Sequence, residues 1–107
     1  MEKIVFEYPA GRPASGRVLT GVVSSGDLEV LLEPNLVGAT TVSITTSVSG
    51  MQRVWEALLT RILTSAQLPA ARIEINDFGA TPGVVRMRIE QAFEELNDVS
   101  SPSASRK

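Results

Sequence analysis

Few side chains in this chain of 107 residues can do chemistry, and the shortage is informative. There is no Cys and no His, which removes thiolates, disulfides, the commonest general base and the commonest metal ligand. A serine nucleophile needs an adjacent base to activate it, usually His and sometimes Lys. The only lysines are Lys3, in a predicted strand, and Lys107, the last residue. A self-contained hydrolase or acyltransferase is therefore not expected, and no clustered Asp/Glu motif offers a carboxylate-held metal. What remains is Ser24-Ser25-Gly26-Asp27, between Arg17-Val-Leu-Thr-Gly-Val-Val23 and Leu28-Glu-Val-Leu-Leu-Glu33. Apolar, β-prone residues crowd both sides of a Ser-Gly-Asp turn, so the stretch reads as a β-hairpin with a serine hydroxyl at its tip. Ser, Gly and Asp are also ordinary turn residues. The absence of another reaction centre is what singles them out.

Two further groups carry candidate roles. Arg86 and Arg88 sit in the first half of a predicted C-terminal helix, with Glu90, Glu94 and Glu95 in the second half. The helix dipole favours the opposite order by about 0.3–1 kcal/mol per terminal charge, which hints at an outside partner for the arginines. The plainer alternative is an Arg86–Glu90 pair one turn apart on a solvated face. In Asn76-Asp77-Phe78-Gly79, Asp77 is expected to end a strand and Gly79 to supply a positive φ. Gly83, near the following helix start, would allow a phosphate to approach backbone N–H groups.

The length fits one domain with a single modest core. No apolar run approaches the ~18–20 residues that span a bilayer, and Met1-Glu-Lys-Ile-Val-Phe-Glu-Tyr8 does not read as a signal peptide, so a cytoplasmic location is expected. Net charge is −2, but without residues 99–107 there are 8 basic against 12 acidic residues. A mildly acidic domain argues against nucleic acid, whose phosphates need basic patches, and suits docking on other proteins.

The elements that must position these residues follow from periodicity. Residues 3–8 alternate, with Ile4, Phe6 and Tyr8 on one face, and a Pro/Gly-rich loop follows over 9–16. Residues 17–24 and 28–33 form the hairpin. A Gly26-Asp27 loop would pair Val23 with Val30 and Gly21 with Leu32; a Ser25-Gly26 loop would pair Val23 with Leu28 and Leu19 with Leu32. Either leaves Ser25 in or beside the turn. Thr40 to Val48 is a strand by its branched side chains, with Val42, Ile44, Thr46 and Val48 on one face. Ser49-Gly-Met-Gln52 has capping-box spacing before a helix over about 51–65. Its apolar stripe is Met51, Val54, Trp55, Leu58, Leu59, Ile62 and Leu63, in which Trp55 reads as core.

Pro69 closes that helix, and Ala71 to Asp77 is a strand with Ile73 and Ile75 inward. A strand–helix–strand run implies a crossover that sets two strands parallel. Thr81 and Pro82 then read as N-cap and first residue of a helix burying Val85, Ile89, Ala92, Phe93 and Leu96. The expected fold is α+β, a two-layer sandwich of two helices on one face of a four- to five-stranded mixed sheet. It occupies residues 1–97, with a disordered tail over 98–107.

With these residues in place, the chain resembles the acyl carrier (delta) subunit of bacterial malonate decarboxylase over residues 3–96. The resemblance rests on Phe6-Glu-Tyr-Pro-Ala-Gly11, Ser24 to Pro34, Thr45-Thr-Ser-Val48, Arg88-Ile-Glu-Gln91 and Phe93-Glu-Glu95. Its most specific part is Asp77-Phe-Gly-Ala-Thr-Pro-Gly-Val-Val-Arg86. The acyl carrier (gamma) subunit of citrate lyase is similar more distantly, in its Ser-Gly-Asp turn and an Arg-x-Arg-Leu-Glu-like helix. The resemblance implies a non-catalytic carrier with no metal site. Its serine before Gly-Asp, here Ser25, would bear 2′-(5″-phosphoribosyl)-3′-dephospho-coenzyme A through a phosphodiester. Ser24 does not match that position.

The arm would supply the thiol that the chain lacks, carrying malonyl and then acetyl as thioesters. The implied partners are the transferase (alpha) and decarboxylase (beta, gamma) subunits, the prosthetic-group transferase and a malonyltransferase. Asp27 would orient the turn or the modifying enzyme's Mg2+, with Gly26 beside it. Arg86 and Arg88 would contact the nucleotide phosphates or a partner subunit. The alternatives are a citrate lyase-type carrier or an unmodified interaction subunit.

Overall fold

The computed structural model describes residues 1–22, 24–64 and 68–100, with side chains of the last helix through Leu96. In chain order the elements are β1 (Glu2–Pro9), β2 (Val18–Gly21), β3 (Leu28–Pro34), β4 (Ala39–Thr46), α1 (Gln52–Thr64), β5 (Ala71–Asp77) and α2 (Pro82–Ser100). The strands form one five-stranded sheet in the order β1-β4-β5-β3-β2. β4 and β5 are parallel, as the intervening helix requires, and the other three pairings are antiparallel. The architecture is the expected α+β sandwich.

Alternation along each strand decides which face is buried. One row of cross-strand neighbours runs Ile4, Ile44, Ile75, Val30 and Thr20, and the next runs Phe6, Val42, Ile73, Leu32 and Val18. Both helices cover this face, α1 over β1 and α2 over β2 and β3. Val42, Ile44, Ile73, Val30 and Leu32 lose all solvent contact, each contributing about 1.5–3 kcal/mol of hydrophobic free energy. α2 adds Val85, Ile89, Ala92, Phe93 and Leu96, the stripe expected from its spacing. Thr81 caps it, with its carbonyl accepting from the Val85 N–H at 3.0 Å.

Several expectations are corrected. Neither anticipated hairpin register occurs: Val18 pairs with Leu32, Leu19 with Leu31, Thr20 with Val30 and Gly21 with Glu29. The shift, one residue from the Ser25-Gly26 register and three from the Gly26-Asp27 register, is odd in either case and reverses β2, so Val18 and Thr20 point inward and Leu19 is exposed. The cause is at Gly21, which has φ 90°. A Cβ there would stand 2.0 Å from the Leu28 carbonyl oxygen. The chain leaves the ladder at this glycine, and β2 is shorter than the predicted 17–24.

The capping box does not form. The carbonyl of Met51 accepts the first helical bond from Trp55 at 3.0 Å, which makes Met51 the N-cap and places Ser49 too early. Gly50 donates instead to the Glu2 side chain at 3.2 Å. Met51 and Val54, assigned to the buried stripe of α1, are 37% and 41% exposed, and Val48 lies beyond the end of β4 at 40%. α2 also runs to Ser100, three residues into the segment assigned to the tail. After Gly83 its sequence holds no proline or glycine. The rest of that tail, residues 101–107, lies outside the described residues.

Gly21→Ala is expected to destabilise the fold by about 2–3 kcal/mol, since left-handed backbone strain alone costs roughly 1–3 kcal/mol. Urea unfolding measures it; a change below about 0.5 kcal/mol, the size of an ordinary surface substitution, would contradict the close approach.

Candidate functional site

The chemistry-bearing residues meet at one end of the sheet. β4 and β5 both finish there, β3 begins there, and Asp77 pairs with Thr46 on one side and Leu28 on the other. The β2–β3 loop, the turn from β5 into α2, and the N-termini of both helices therefore share that end. In open sheets with parallel strands, the carboxyl ends of the strands are where ligands bind.

Ser24 to Asp27 forms a β-turn closed by the Asp27 N–H donating to the Ser24 carbonyl at 3.1 Å. Ser25 is its second residue, and Gly26, third, has the positive φ (80°) that a type II turn needs. No atom lies within 4 Å of a Cβ built on Gly26, so its constraint is conformational rather than steric. Ser24, Ser25 and Gly26 are exposed, and the Ser25 hydroxyl has no hydrogen-bond partner among the described residues.

The trailing side of this turn is fixed. Gly26 N–H donates to the Phe78 carbonyl at 2.7 Å, and Phe78 N–H donates to the Asp27 carbonyl at 2.9 Å. These bonds continue the β3–β5 ladder one step past Leu28 and Asp77. The Asp27 carboxylate then reaches α2. Arg88 Nη2 donates to its Oδ2 at 2.7 Å and Arg88 Nε to its Oδ1 at 3.2 Å, a bidentate fork across 61 residues of sequence. Oδ1 also accepts from the Leu28 N–H at 2.7 Å. Charge-assisted, two-point bonds of this kind fix geometry as well as adding energy. The Arg88 hydrogen bonds first, and then the Leu28 N–H, hold the Asp27 carboxyl below its ordinary range against the opposing desolvation. Reciprocally, Asp27 raises the affinity of the Arg88 guanidinium for its proton.

Arg88 is held from two sides. Its carbonyl accepts from the inward Thr20 hydroxyl at 3.1 Å, and its Nη1 donates to Gln91 at 3.3 Å. Arg86, by contrast, is exposed and paired with Glu90 at 3.0 Å, the plain alternative foreseen for it. On the other flank of the turn, Asp77 is buried and accepts from the Thr46 hydroxyl at 2.8 Å and the Ala80 N–H at 3.0 Å. Gly79 takes φ 92° between them. Of the residues singled out in the sequence, Ser25, Gly26, Asp27 and Arg88 lie together, and the bond that joins the last two was not legible there. The sequence reading misses Thr20 and the role of Asp77 as a brace. No local signal could have found an ion pair 61 residues apart. Among the described residues no cluster of three or more His, Cys, Asp or Glu could hold a metal ion, and no helix is long and apolar enough to cross a membrane.

Comparison with known proteins matches this arrangement to one family. Residues 15–96 match the acyl carrier family described as the malonate decarboxylase delta subunit (MdcD). A malonate decarboxylase acyl carrier protein of Pseudomonas paraeruginosa is 58% identical over 95 residues, covering 89% of this chain and 96% of that protein. One from Pseudomonas fluorescens is 54% identical over 96 residues, covering 90% and 97%. Among solved structures, a chain from the crystal structure of a Pseudomonas malonate decarboxylase hetero-tetramer in complex with malonate superposes with a TM-score of 0.87. That chain is 53% identical, with 90% of this chain and 99% of the other covered.

Because the Asp27 carboxyl titrates lower in the folded chain, the stability it confers is fully present above the unfolded value of about 3.9 and fades as pH falls through the folded value. Asp27→Asn should therefore lower the thermal midpoint by a constant amount from pH 7 to about 5, with the gap closing below pH ~4. A gap unchanged at pH ~3 would show that the carboxylate charge is not what holds the turn. Arg88→Met should speed amide exchange at Gly26 and Phe78 by roughly an order of magnitude while leaving the β1–β4 ladder protected.

Proposed function

Since the chain belongs to the malonate decarboxylase delta-subunit family of acyl carrier proteins, we propose that Ser25 is its point of covalent attachment, through a phosphodiester, for phosphoribosyl-dephospho-coenzyme A. The observation that carries this reading is the state of that hydroxyl. It is exposed and unbonded among the described residues, at the apex of a turn whose trailing side is tied to β5 and α2. These features suit a group that must enter a modifying enzyme and then carry a long arm. Ser24, also exposed, lends its carbonyl to the turn.

When bound, the group supplies a thiol on which malonyl and acetyl are carried as thioesters. The chain's own part is to present and orient. Asp27 and Arg88 hold the base of the turn while Ser25 stays free, and neither needs to act as an acid or base. Asp27 already spends both carboxylate oxygens on Arg88 and Leu28, which favours orienting the turn over holding the modifying enzyme's Mg2+. Arg88 is equally committed, leaving Arg86, exposed beside Glu90, as the arginine open to a phosphate or a partner subunit. Cofactor chemistry of this type leaves positioning and docking to the protein, and tethering keeps the acyl group at roughly millimolar local concentration. The partners on this reading are the transferase and decarboxylase subunits and the prosthetic-group transferase, in the cytoplasm.

Intact mass of the protein co-expressed with its modifying enzymes should rise by one phosphoribosyl-dephospho-coenzyme A group. The increase should be lost in Ser25→Ala and kept in Ser24→Ala. Modification of Ser25→Ala, or full decarboxylation by a complex whose carrier stays unmodified, would replace this reading with that of an interaction subunit.

A further inference from the structure

The sheet ends in two edges of unequal length, β1 and β2. β2 has four residues and breaks off at Gly21, whereas β1 runs for eight and pairs with β4 alone. An edge strand offers unpaired N–H and C=O groups to any chain of matching register. Which residues offer them follows from the β1–β4 ladder, because hydrogen-bonded and non-hydrogen-bonded pairs alternate along an antiparallel pair. Continuing the same register just past Pro9 and Ala39, the Ala10 N–H donates to the Gly38 carbonyl at 3.0 Å. Even-numbered residues of β1 therefore turn their backbone groups to β4, and Lys3, Val5 and Glu7 turn theirs to the open edge. The side chains of these three lie together on the face that the helices leave bare, all exposed, Val5 at 65%. No ion pair or side-chain hydrogen bond joins Lys3 or Glu7 to another described residue.

We propose that β1 pairs antiparallel with β1 of a second copy of this chain, about a two-fold axis at Val5, joining two five-stranded sheets edge to edge. Two observations select this occupant and this register. The first is charge. Lys3 and Glu7 stand equally far from Val5, so the axis sets each Lys3 opposite the Glu7 of the other copy, and Val5 opposite Val5. Opposite charges facing each other across strands stabilise the pair, and like charges there oppose it. A lone lysine on an edge strand deters pairing, but a lysine and a glutamate placed symmetrically favour the chain that carries both. The second is backbone phase. The residues brought face to face are the ones whose N–H and C=O groups point to the open edge, so each facing pair can exchange both bonds. Moving the axis to Ile4 or Phe6 would set Lys3 against Val5 or Pro9, losing the charge pairs, and Pro9 has no N–H to give. On the helix-covered face, Phe6, only partly buried, would meet Ile4 of the other copy. The turn holding Ser25 enters β3, three strands and about 14 Å from β1, so pairing leaves both serines free and does not rest on their role. One edge contact is smaller than the ~1,200–2,000 Å2 of a stable interface, so the association is weak and sensitive to concentration and salt.

Sedimentation equilibrium of the full-length chain tests the pairing from about 10 µM to about 1 mM, the range in which an interface of this size dissociates. The mass should rise with concentration from 11.5 kDa toward twice that value, and rise less at high salt. Amide exchange at Val5 and Glu7, whose N–H groups face the open edge, should slow over the same range. Lys3→Glu and Glu7→Lys should each weaken the pairing by roughly ten-fold, because like charges then face each other at both ends of the contact. Mixed together, the two variants should associate one to one at least as well as the native chain, since every facing charge pair is again opposite in sign. Thermal unfolding checks that both variants fold. A native chain that keeps a mass of 11.5 kDa up to about 1 mM would overturn the proposal, including the case in which a strand of a different subunit takes this edge. Association without slower exchange at Val5, or variants that fail to rescue each other, would place the contact elsewhere and overturn it as well.

Discussion

The bond between Asp27 and Arg88 is the constraint on which the arrangement at this end of the molecule depends. It joins the loop that carries Ser25 to a helix 61 residues further along the chain, through two hydrogen bonds with fork geometry. Alone it would hold a side chain but not a backbone. Its effect comes from acting with the Gly26–Phe78 and Phe78–Asp27 backbone bonds, which prolong the β3–β5 ladder beyond its last named pair. Glycine at 26 lets the chain turn back sharply, and the serines on the leading side remain outside every one of these bonds. The bonds to β5 and α2 thus fall on one half of a four-residue turn.

On the proposed reading, this division suits a protein whose chemistry is carried by an attached group. A catalytic serine would need a base within hydrogen-bond reach, and a metal site would need several converging ligands. Here the ionisable side chains nearest the turn are consumed by structure: Asp27 by Arg88 and Leu28, and Asp77 by Thr46 and Ala80. Membership of the acyl carrier family and this commitment of the polar groups to orientation point the same way. The family match covers residues 15–96, which include the turn, its braces and the sheet beneath.

The start of α1 lies at the same end of the sheet. The amphipathic stripe of α1 is wider than the surface the sheet offers it, so the first turn of the helix overhangs the ends of β4 and β5. Apolar side chains remain partly uncovered there, across the β5–α2 turn from the loop that holds Ser25.

By itself the sequence determined the order of the elements and the faces of β1, β4, β5 and α2. Alternation in β1, β4 and β5, the spacing of Val85 to Leu96, and Thr81-Pro82 at a helix start are local properties, and local steric and burial preferences act wherever the chain runs. The Ser-Gly-Asp turn was legible for the same reason, because a positive φ at Gly26 depends on neighbouring atoms only. What tertiary structure decided were quantities that compare distant segments. The hairpin register turned on the approach of Gly21 to the Leu28 carbonyl, and a single-residue slip there reverses an entire strand face. Met51 and Val54, at the start of α1, stayed partly exposed because the sheet ends beneath them. Arg88 could be named as a candidate, but its partner could not, since an ion pair across 61 residues exists only once β3 and α2 are packed. The sequence therefore marked the turn, and the fold determined how its trailing side is held.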